Sequence, residues 1–248
     1  LAWAGSTTVV VGQGGGGAAS CCTGAADPDL LCEDCDYADS NSWVKVETGG
    51  TISFTASHSG TFACTDKGSY AIESTYDGEG DLYAYYDMGA QKNVIYTHFY
   101  FNWKTRPEGF DNADMVCIMA AGAQNNGYSY TSWRLYAREG NTESTQVRLY
   151  YDGFNQLGTD QTIAMDTWYE VSIIYKSDGE VGDDDDTISW YLDGVEVATL
   201  TNANLSLAGR PRFITIGNSS EPNPSTGVSF QVDNIEIDDD AMAAACPE

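Results

Sequence analysis

Two β-prone runs meet at an Asp-Gly pair in the stretch Ile188-Ser-Trp-Tyr-Leu-Asp193-Gly194-Val-Glu-Val. Apolar and polar side chains alternate on both sides of the pair, which is the pattern of strands with one buried face. Asp-Gly supplies the positive φ angles that a two-residue turn needs between antiparallel strands. The stretch therefore predicts a β-hairpin whose turn lies at Asp193 and Gly194.

Runs of the same kind recur from Ser42 onward, and none of them shows sustained helical spacing. Thirteen are predicted as strands: Trp43–Glu47, Thr51–Ala56, Tyr70–Thr75, Leu82–Met88, Val94–Trp103, Met115–Ala120, Ser132–Arg138, Thr145–Tyr151, Trp168–Tyr175, Ile188–Leu192, Val195–Thr201, Arg212–Gly217 and Val228–Ile237. Many short strands with turn signals between them are typical of an antiparallel two-sheet sandwich. The sequence therefore predicts one all-β jelly-roll domain over residues 42–240.

Charge and hydropathy exclude several kinds of partner. The 248 residues include 11 Lys plus Arg and 37 Asp plus Glu, which gives a net charge of −26. A nucleic-acid partner requires a basic surface that neutralises phosphates, so we expect none. Membrane insertion is also not expected, because no run approaches the roughly 18 consecutive apolar residues of a spanning helix.

Seven cysteines indicate an oxidising compartment. We expect them to form disulfides with one thiol left over: Cys21, Cys22, Cys32, Cys35, Cys64, Cys117 and Cys246. Zinc bound by the first four is the alternative, although their spacing does not match a common zinc motif. The cysteines therefore predict an extracellular or virion-surface location.

The chain outside the jelly roll divides into three parts. Residues 1–20 form a Gly-rich arm, residues 21–41 an irregular Cys-rich acidic segment, and residues 241–248 a tail. The arm contains a β-prone run at Thr7, Val9 and Val11. An isolated strand can bind the open edge of a neighbour's sheet through main-chain hydrogen bonds. We therefore expect these three residues to mediate assembly.

Four segments of the second half carry a family resemblance. They are Asp166-Thr-Trp168-Tyr-Glu-Val-Ser-Ile-Ile-Tyr175, the Asp193-Gly194 hairpin, Phe213-Ile-Thr-Ile-Gly217 and Phe230-Gln-Val-Asp233-Asn-Ile-Glu-Ile237. In this order they resemble the concanavalin A-like lectin/glucanase superfamily, close to its laminin-G-like branch. The resemblance spans about residues 43–238. It implies the fold, but the superfamily contains lectins, adhesion modules, hydrolases, lyases and virion proteins, so function depends on the site.

The resemblance allows hydrolysis to be tested against the sequence. Glucanases of the superfamily carry Glu-x-Asp-x-x-Glu on one strand, and a glycosidase needs two suitably spaced carboxylates. The nearest match is Glu79-Gly-Asp81-Leu-Tyr-Ala84, and Glu236-Ile-Asp238 is followed by Ala241 at the third position. Both matches lack the third acid, so we do not expect a glucanase.

Lyases of the superfamily use Tyr or His with Arg and an amide side chain nearby. His98 lies in an aromatic predicted strand, and Arg134, Arg138 and Arg148 lie on others. The net charge of −26 disfavours an anionic polymer. We therefore expect no enzymatic activity, and a diverged lyase or hydrolase is the alternative.

Acidic residues near both ends of the domain suggest calcium, which prefers oxygen ligands. Relatives with the laminin-G-like fold often carry this ion, and their first and last strands are often neighbours. Asp36 and Asp39 precede the first predicted strand of the sandwich, and Asp233 lies on the last. We expect these three to hold a structural calcium, whereas Asp183–Asp186 is interpreted as a solvated loop.

A glycan site is predicted between two strands, where aromatic and amide side chains cluster. Aromatic faces stack on sugar rings, and amides form hydrogen bonds with hydroxyls. The predicted glycan contacts are Asn125, Tyr128, Tyr130 and Trp133.

Together these patterns predict a non-enzymatic extracellular surface protein, a subunit of a homo-oligomeric virion surface or filament. Its expected partners are copies of itself and a cell-surface or extracellular polysaccharide. The alternative is a monomeric, calcium-dependent carbohydrate-binding or adhesion module.

Overall fold

A computed structural model describes residues 31–33, 43–57, 70–76, 80–105, 115–125, 131–139, 144–152, 155–177, 185–205, 209–218 and 227–239. All the regular elements in these ranges are strands: β1 Leu31–Glu33, β2 Val44–Glu47, β3 Gly50–Ser57, β4 Tyr70–Tyr76, β5 Leu82–Asp87, β6 Val94–Thr105, β7 Met115–Gly122, β8 Thr131–Glu139, β9 Thr145–Tyr151, β10 Asn155–Ile163, β11 Trp168–Lys176, β12 Asp186–Leu192, β13 Val195–Ala203, β14 Phe213–Asn218 and β15 Ser229–Asp238. The described ranges contain no helix long and apolar enough to cross a membrane.

The strands form two antiparallel sheets. Sheet I has the order β13-β12-β11-β6-β15-β4-β3, with β1 also paired to β15. Sheet II has the order β10-β9-β8-β7-β14-β5-β2. The predicted all-β, two-sheet sandwich is confirmed.

The hairpin between β12 and β13 has the predicted turn. Asp193 and Gly194 have φ angles of 50° and 71°, and Leu192 pairs with Val195. The Asp193 side chain accepts a hydrogen bond from the Glu170 backbone N–H at 2.9 Å. The turn is thereby held against β11 as well as closed locally.

All thirteen predicted strands are present, and two further strands were not predicted. Only Leu157 and Ile163 of β10 are buried, so its nine residues show no alternation of apolar and polar side chains. β1 lies inside the segment that we expected to be irregular, and Leu31 pairs with Ile237. Three residues are too few for a sequence pattern, and pairing with β15 decides that they are extended.

The core lies between the sheets and is dominated by aromatic side chains. Trp103 and Phe230 stack with ring centroids 6.3 Å apart and planes within 3° of each other. The Trp190 indole of sheet I donates a hydrogen bond to the Leu157 carbonyl of sheet II at 3.1 Å. Because side chains alternate along each strand, every sheet also presents an outer face. The two outer faces differ in chemistry.

Candidate functional site

The outer face of sheet II carries alternating arginine and tyrosine side chains. Arg134, Tyr136 and Arg138 on β8 alternate with side chains that enter the core, and so do Arg148 and Tyr150 on β9. The register pairs Arg134 with Tyr150 and Tyr136 with Arg148, so the two residue types alternate across the strands as well. We call these five residues the arginine–tyrosine face.

Direct contacts join the members of this face. Arg134 Nη1 donates to the Tyr136 hydroxyl at 3.3 Å, and Arg148 Nη1 donates to the Tyr150 hydroxyl at 2.9 Å. The rings of Tyr136 and Tyr150 meet edge-to-face with centroids 5.7 Å apart. Charged donors and aromatic rings therefore form one connected group.

Asp160 on the neighbouring strand β10 binds two of these arginines. Arg148 donates from Nε and Nη2 to the two carboxylate oxygens, both at 2.5 Å. Arg138 Nη2 lies 3.6 Å from Asp160 Oδ2, and Gln156 Nε2 donates to Oδ1 at 3.1 Å. Hydrogen bonding to Asp160 raises the pKa of the Arg148 guanidinium, which therefore stays charged.

The face is locally basic although the chain is acidic. Three of the six arginines of the sequence lie here. The three arginines Arg134, Arg138 and Arg148 and the one carboxylate of Asp160, which pairs with the last two, sum to 3 − 1 = +2. A local charge of this sign attracts anions at short range. The net negative charge of the rest of the surface acts over longer distances, where salt largely screens it. The argument from net charge against an anionic polymer therefore does not extend to this face.

Burial divides the face into an enclosed and an accessible part. Arg134 and Tyr136 are fully buried, and Tyr150 is also buried with 8% exposure. The side chains of Arg138 and Arg148 are 17% and 15% exposed, and that of Asp160 is 18% exposed. A ligand from solvent would therefore meet Arg138, Arg148 and Asp160 before the buried residues of the face.

An aromatic ladder extends the same outer face toward β5. It consists of Tyr83, Tyr85 and Phe213, which are all partly exposed. The rings of Tyr83 and Tyr85 are 6.4 Å apart, and Tyr85 meets Phe213 edge-to-face at 5.8 Å. The Arg212 guanidinium lies 5.0 Å from the centre of the Phe213 ring. Partly exposed rings beside charged donors can stack on a sugar and bind its polar groups.

One row of the sheet connects the ladder to the arginine–tyrosine face. Thr215 on β14 pairs with Tyr85 on one side and with Ala120 on the other. Ala120 pairs with Arg134, which pairs with Tyr150. The row crosses five strands, and four interstrand spacings correspond to about 19 Å. Thr215, Ala120, Arg134 and Tyr150 are themselves buried, so a ligand would contact this face at the two accessible ends, the aromatic ladder and the group of Arg138 and Arg148.

The predicted glycan contacts are only partly placed at this site. The Asn125 carbonyl accepts a hydrogen bond from the Thr215 hydroxyl at 3.3 Å, so the loop after β7 begins beside the row. Tyr128 and Tyr130 lie outside the described residues. Trp133 is fully buried in the core between the sheets. The prediction that Trp133 contacts a glycan is wrong, because its side chain has the opposite orientation from Arg134 on the same strand.

Only one of the three predicted calcium ligands lies within the described residues. Asp233 is buried on β15, whereas Asp36 and Asp39 lie outside the description. No group of three or more His, Cys, Asp or Glu within the described ranges is arranged to hold a metal ion. Asp186 is buried and accepts a hydrogen bond from the Leu205 N–H at 2.6 Å, so its interpretation as a solvated loop residue is wrong.

Cys117 is a free, buried thiol on β7, which corrects its inclusion among the disulfide residues. Burial raises its pKa to about 12, so it is an unreactive thiol at neutral pH. The backbone of Cys32 lies in β1, opposite Glu236. The other cysteines, Cys21, Cys22, Cys35, Cys64 and Cys246, lie outside the described residues, as do Thr7, Val9 and Val11.

His98 lies on the outer face of sheet I, away from the arginines. Its Nε2 is 3.0 Å from Glu170 Oε1, and its ring meets Tyr100 edge-to-face at 5.3 Å. The hydrogen bond with His98 lowers the pKa of the Glu170 carboxyl. Arg134, Arg138 and Arg148 belong to sheet II, so the fold separates the histidine from the arginines that the lyase alternative would combine with it.

Sequence reasoning missed the tyrosines and the acid of this site. The spacing Arg134-x-Tyr136-x-Arg138 is a period of two on one strand, and this signal alone could have placed the three residues on one face. Asp160 had no comparable signal, because its strand was not predicted and its partners lie on β8 and β9.

The fold and the site define a class: an all-β sandwich with an aromatic and basic face across one sheet. A laminin G family within the Concanavalin A-like lectin/glucanases superfamily matches residues 103–245. The chain belongs to this superfamily, which confirms the resemblance seen in the sequence. None of the curated proteins compared with the chain matches it.

Solved structures with the same fold include proteins that act on polysaccharides. The cellulose induced protein has a TM-score of 0.56 and 13% identity, covering 87% of this chain and 100% of its own. The endo-β-1,4-glucuronan lyase of the fungus Trichoderma reesei has a TM-score of 0.53 and 16% identity, covering 77% and 88%. An alginate lyase variant in complex with an alginate tetrasaccharide has a TM-score of 0.51 and 12% identity, covering 70% and 82%. These likenesses establish the shared fold.

Proposed function

We propose that the protein binds a polysaccharide across the outer face of sheet II. The observation that carries this proposal is that one outer face holds both partly exposed aromatic rings, Tyr85 and Phe213 among them, and the partly exposed guanidinium groups of Arg138 and Arg148. Strand pairing through the buried residues Thr215 and Arg134 joins these two parts into one sheet. The names of the fold neighbours, a glucuronan lyase and an alginate lyase among them, support carbohydrate as the ligand class. The site chemistry comes from this chain's own residues.

The two parts of the face have different roles in this proposal. Tyr83, Tyr85 and Phe213 provide apolar ring surface for sugar faces, as aromatic side chains do at other amphipathic contacts. Arg138 and Arg148 provide donors for sugar oxygens at the accessible edge of the basic network. The ladder supplies affinity for sugar rings in general, and the arginines supply preference among them.

Removing the ladder should weaken polysaccharide binding. We expect Tyr85→Ala combined with Phe213→Ala to lower affinity by about tenfold or more, since each lost aromatic contact is worth roughly 0.5–1.5 kcal/mol. Affinity electrophoresis against alginate, polyglucuronate and a neutral β-glucan measures the change. Tyr96→Ala is the matched control, because this partly exposed tyrosine lies on the other sheet beside Lys176. Equal affinity in the double variant and the control would contradict the proposed site.

The same incubations test lyase activity, the second candidate. The contact of Arg148 with the Tyr150 hydroxyl at 2.9 Å favours it, because β-elimination needs a cation for the uronate carboxylate and a group that transfers protons. Release of unsaturated uronate products, lost in Tyr150→Phe, would assign catalysis to this face. Binding without such products supports a binding protein.

We also propose that the protein assembles with copies of itself. The eight-residue strand β3 ends sheet I, and no other described strand pairs with its outer edge, so it offers the open backbone that a donated strand needs. We expect a native mass that is a multiple of 26.8 kDa and that falls to one copy when residues 1–20 are deleted. Native mass spectrometry with and without reductant measures both. A monomer before and after deletion would contradict assembly.

The structural calcium and the extracellular or virion-surface location remain proposals from the sequence. Asp233 is the one member of the calcium set within the described residues, and it is buried on β15.

A further inference from the structure

We infer that Asp160 occupies a carboxylate subsite of the arginine–tyrosine face and competes with the carboxylates of an acidic polysaccharide. This inference rests on the proposed function and specifies its ligand class. The subsite consists of Arg138 and Arg148, and the competing group is the protein's own carboxylate on β10.

The geometry of the Asp160 pair is the geometry that a uronate would use. A guanidinium binds a carboxylate best through two parallel N–H donors, and Arg148 binds Asp160 in this way through Nε and Nη2. Its third nitrogen, Nη1, donates to Tyr150. A ligand carboxylate can therefore form the same bidentate pair with Arg148 only by displacing Asp160.

The position of Asp160 in the fold permits this displacement. The strand pairing between β9 and β10 is interrupted between Leu157 and Gln161, and Asp160 lies within the interruption. Gly158 begins it with a φ of +75°. Residues at such a bulge have no paired residue on the neighbouring strand, so the Asp160 backbone can move without breaking strand pairing. The 18% exposure of its side chain places the pair at the solvent boundary.

The neighbours of Asp160 remain suited to an anion once it has moved. Arg138 and Arg148 both contribute positive charge, and the Nε atom of Arg138 has no hydrogen-bond partner among the described residues. Because β10 is the edge strand of sheet II, an incoming chain would meet Asp160 before the buried Arg134. Competition of this kind multiplies the intrinsic affinity by the fraction of protein in which Asp160 has left the subsite, so the apparent affinity is lower. It acts on acidic sugars and leaves neutral ones unaffected.

Neutralising Asp160 tests the inference. We expect Asp160→Asn to raise affinity for alginate or polyglucuronate by about tenfold, because a charge-assisted pair is replaced by a weaker neutral one. Affinity for a neutral β-glucan should not change. Asp166→Asn is the matched control, since it removes the same charge from the Lys104–Asp166 pair in the turn after β10, where the Asp166 side chain is 64% exposed. Isothermal titration with defined oligosaccharides measures all three proteins.

The outcomes separate the inference from the proposed function. If the wild type binds an acidic polysaccharide and Asp160→Asn binds it equally or more weakly, Asp160 positions the arginines and the inference fails while the binding face stands. If neither protein binds acidic or neutral polysaccharide, both fail. Circular dichroism checks folding, and Asp160→Ser is a second neutral variant if Asn disturbs the bulge. If Asp166→Asn gained the same affinity for the acidic polysaccharide as Asp160→Asn, the change in net charge would explain both gains. That result would overturn the inference.

Discussion

Replacing Trp190 with alanine is expected to lower the free energy of unfolding by about 3–5 kcal/mol, the range found for large aromatic truncations in protein cores. The side chain is fully buried between the sheets. Its indole N–H also donates to the Leu157 carbonyl, which joins β12 of sheet I to β10 of sheet II. The variant therefore creates a cavity and leaves a carbonyl without its donor. Equilibrium unfolding in denaturant measures the loss.

Two variants separate the causes of this loss. Trp190→Phe retains most of the ring volume but removes the indole donor, and we expect a smaller loss of about 1–3 kcal/mol. Tyr191→Ala changes the next residue of β12, whose side chain is partly exposed on the outer face of sheet I, and should cost less than the alanine variant of Trp190. A loss below about 1 kcal/mol for Trp190→Ala would contradict the packing described for this region.

Replacing Gly217 with alanine is expected to cost about 2–5 kcal/mol, the sum of a left-handed backbone penalty and a steric overlap. Gly217 lies in β14 with a φ of +80°. A Cβ atom at this position would lie 2.2 Å from the Leu82 carbonyl oxygen, which belongs to the paired strand β5. Backbone atoms of a central strand cannot move aside without disturbing the sheet. Chemical denaturation of the variant measures the cost.

Gly89 provides the matched control for this substitution. Its φ is +79°, and no atom lies within 4 Å of the Cβ that alanine would add. Gly89→Ala should therefore show only the backbone penalty of about 1–2 kcal/mol. The difference between the two variants isolates the approach of β5 to β14. Equal losses would mean that this approach does not restrict position 217.

Much of the strand content could be predicted because it depends on neighbouring residues. The aromatic and β-branched run Val94–Trp103 and the Asp193-Gly194 turn are properties of contiguous sequence, and both agree with the structure. β10 could not be predicted in this way, since its polar residues follow the bulge and the edge of the sheet. An edge strand is stabilised largely by the strand beside it, which its own sequence does not identify.

The candidate site shows the same division. Period two along β8 places Arg134, Tyr136 and Arg138 on one face, but it does not say which face is the core. The cluster of aromatic and amide side chains predicts Trp133 as a glycan contact, whereas it packs inside and the arginines lie outside. The acid that binds the arginines, Asp160, was not found, because the contact depends on the bulge in β10.

The sequence by itself determined the class of fold, the positions of most strands, the hairpin turn and the superfamily, because these follow from local alternation, turn chemistry and the order of motifs. Only the tertiary structure decided which strands are neighbours. It joined Tyr85, Thr215 and Arg134 into one row across sheet II, and it placed His98 on the opposite sheet. Strand pairing between distant segments depends on core packing and register over the whole sandwich, and no local pattern encodes that sum.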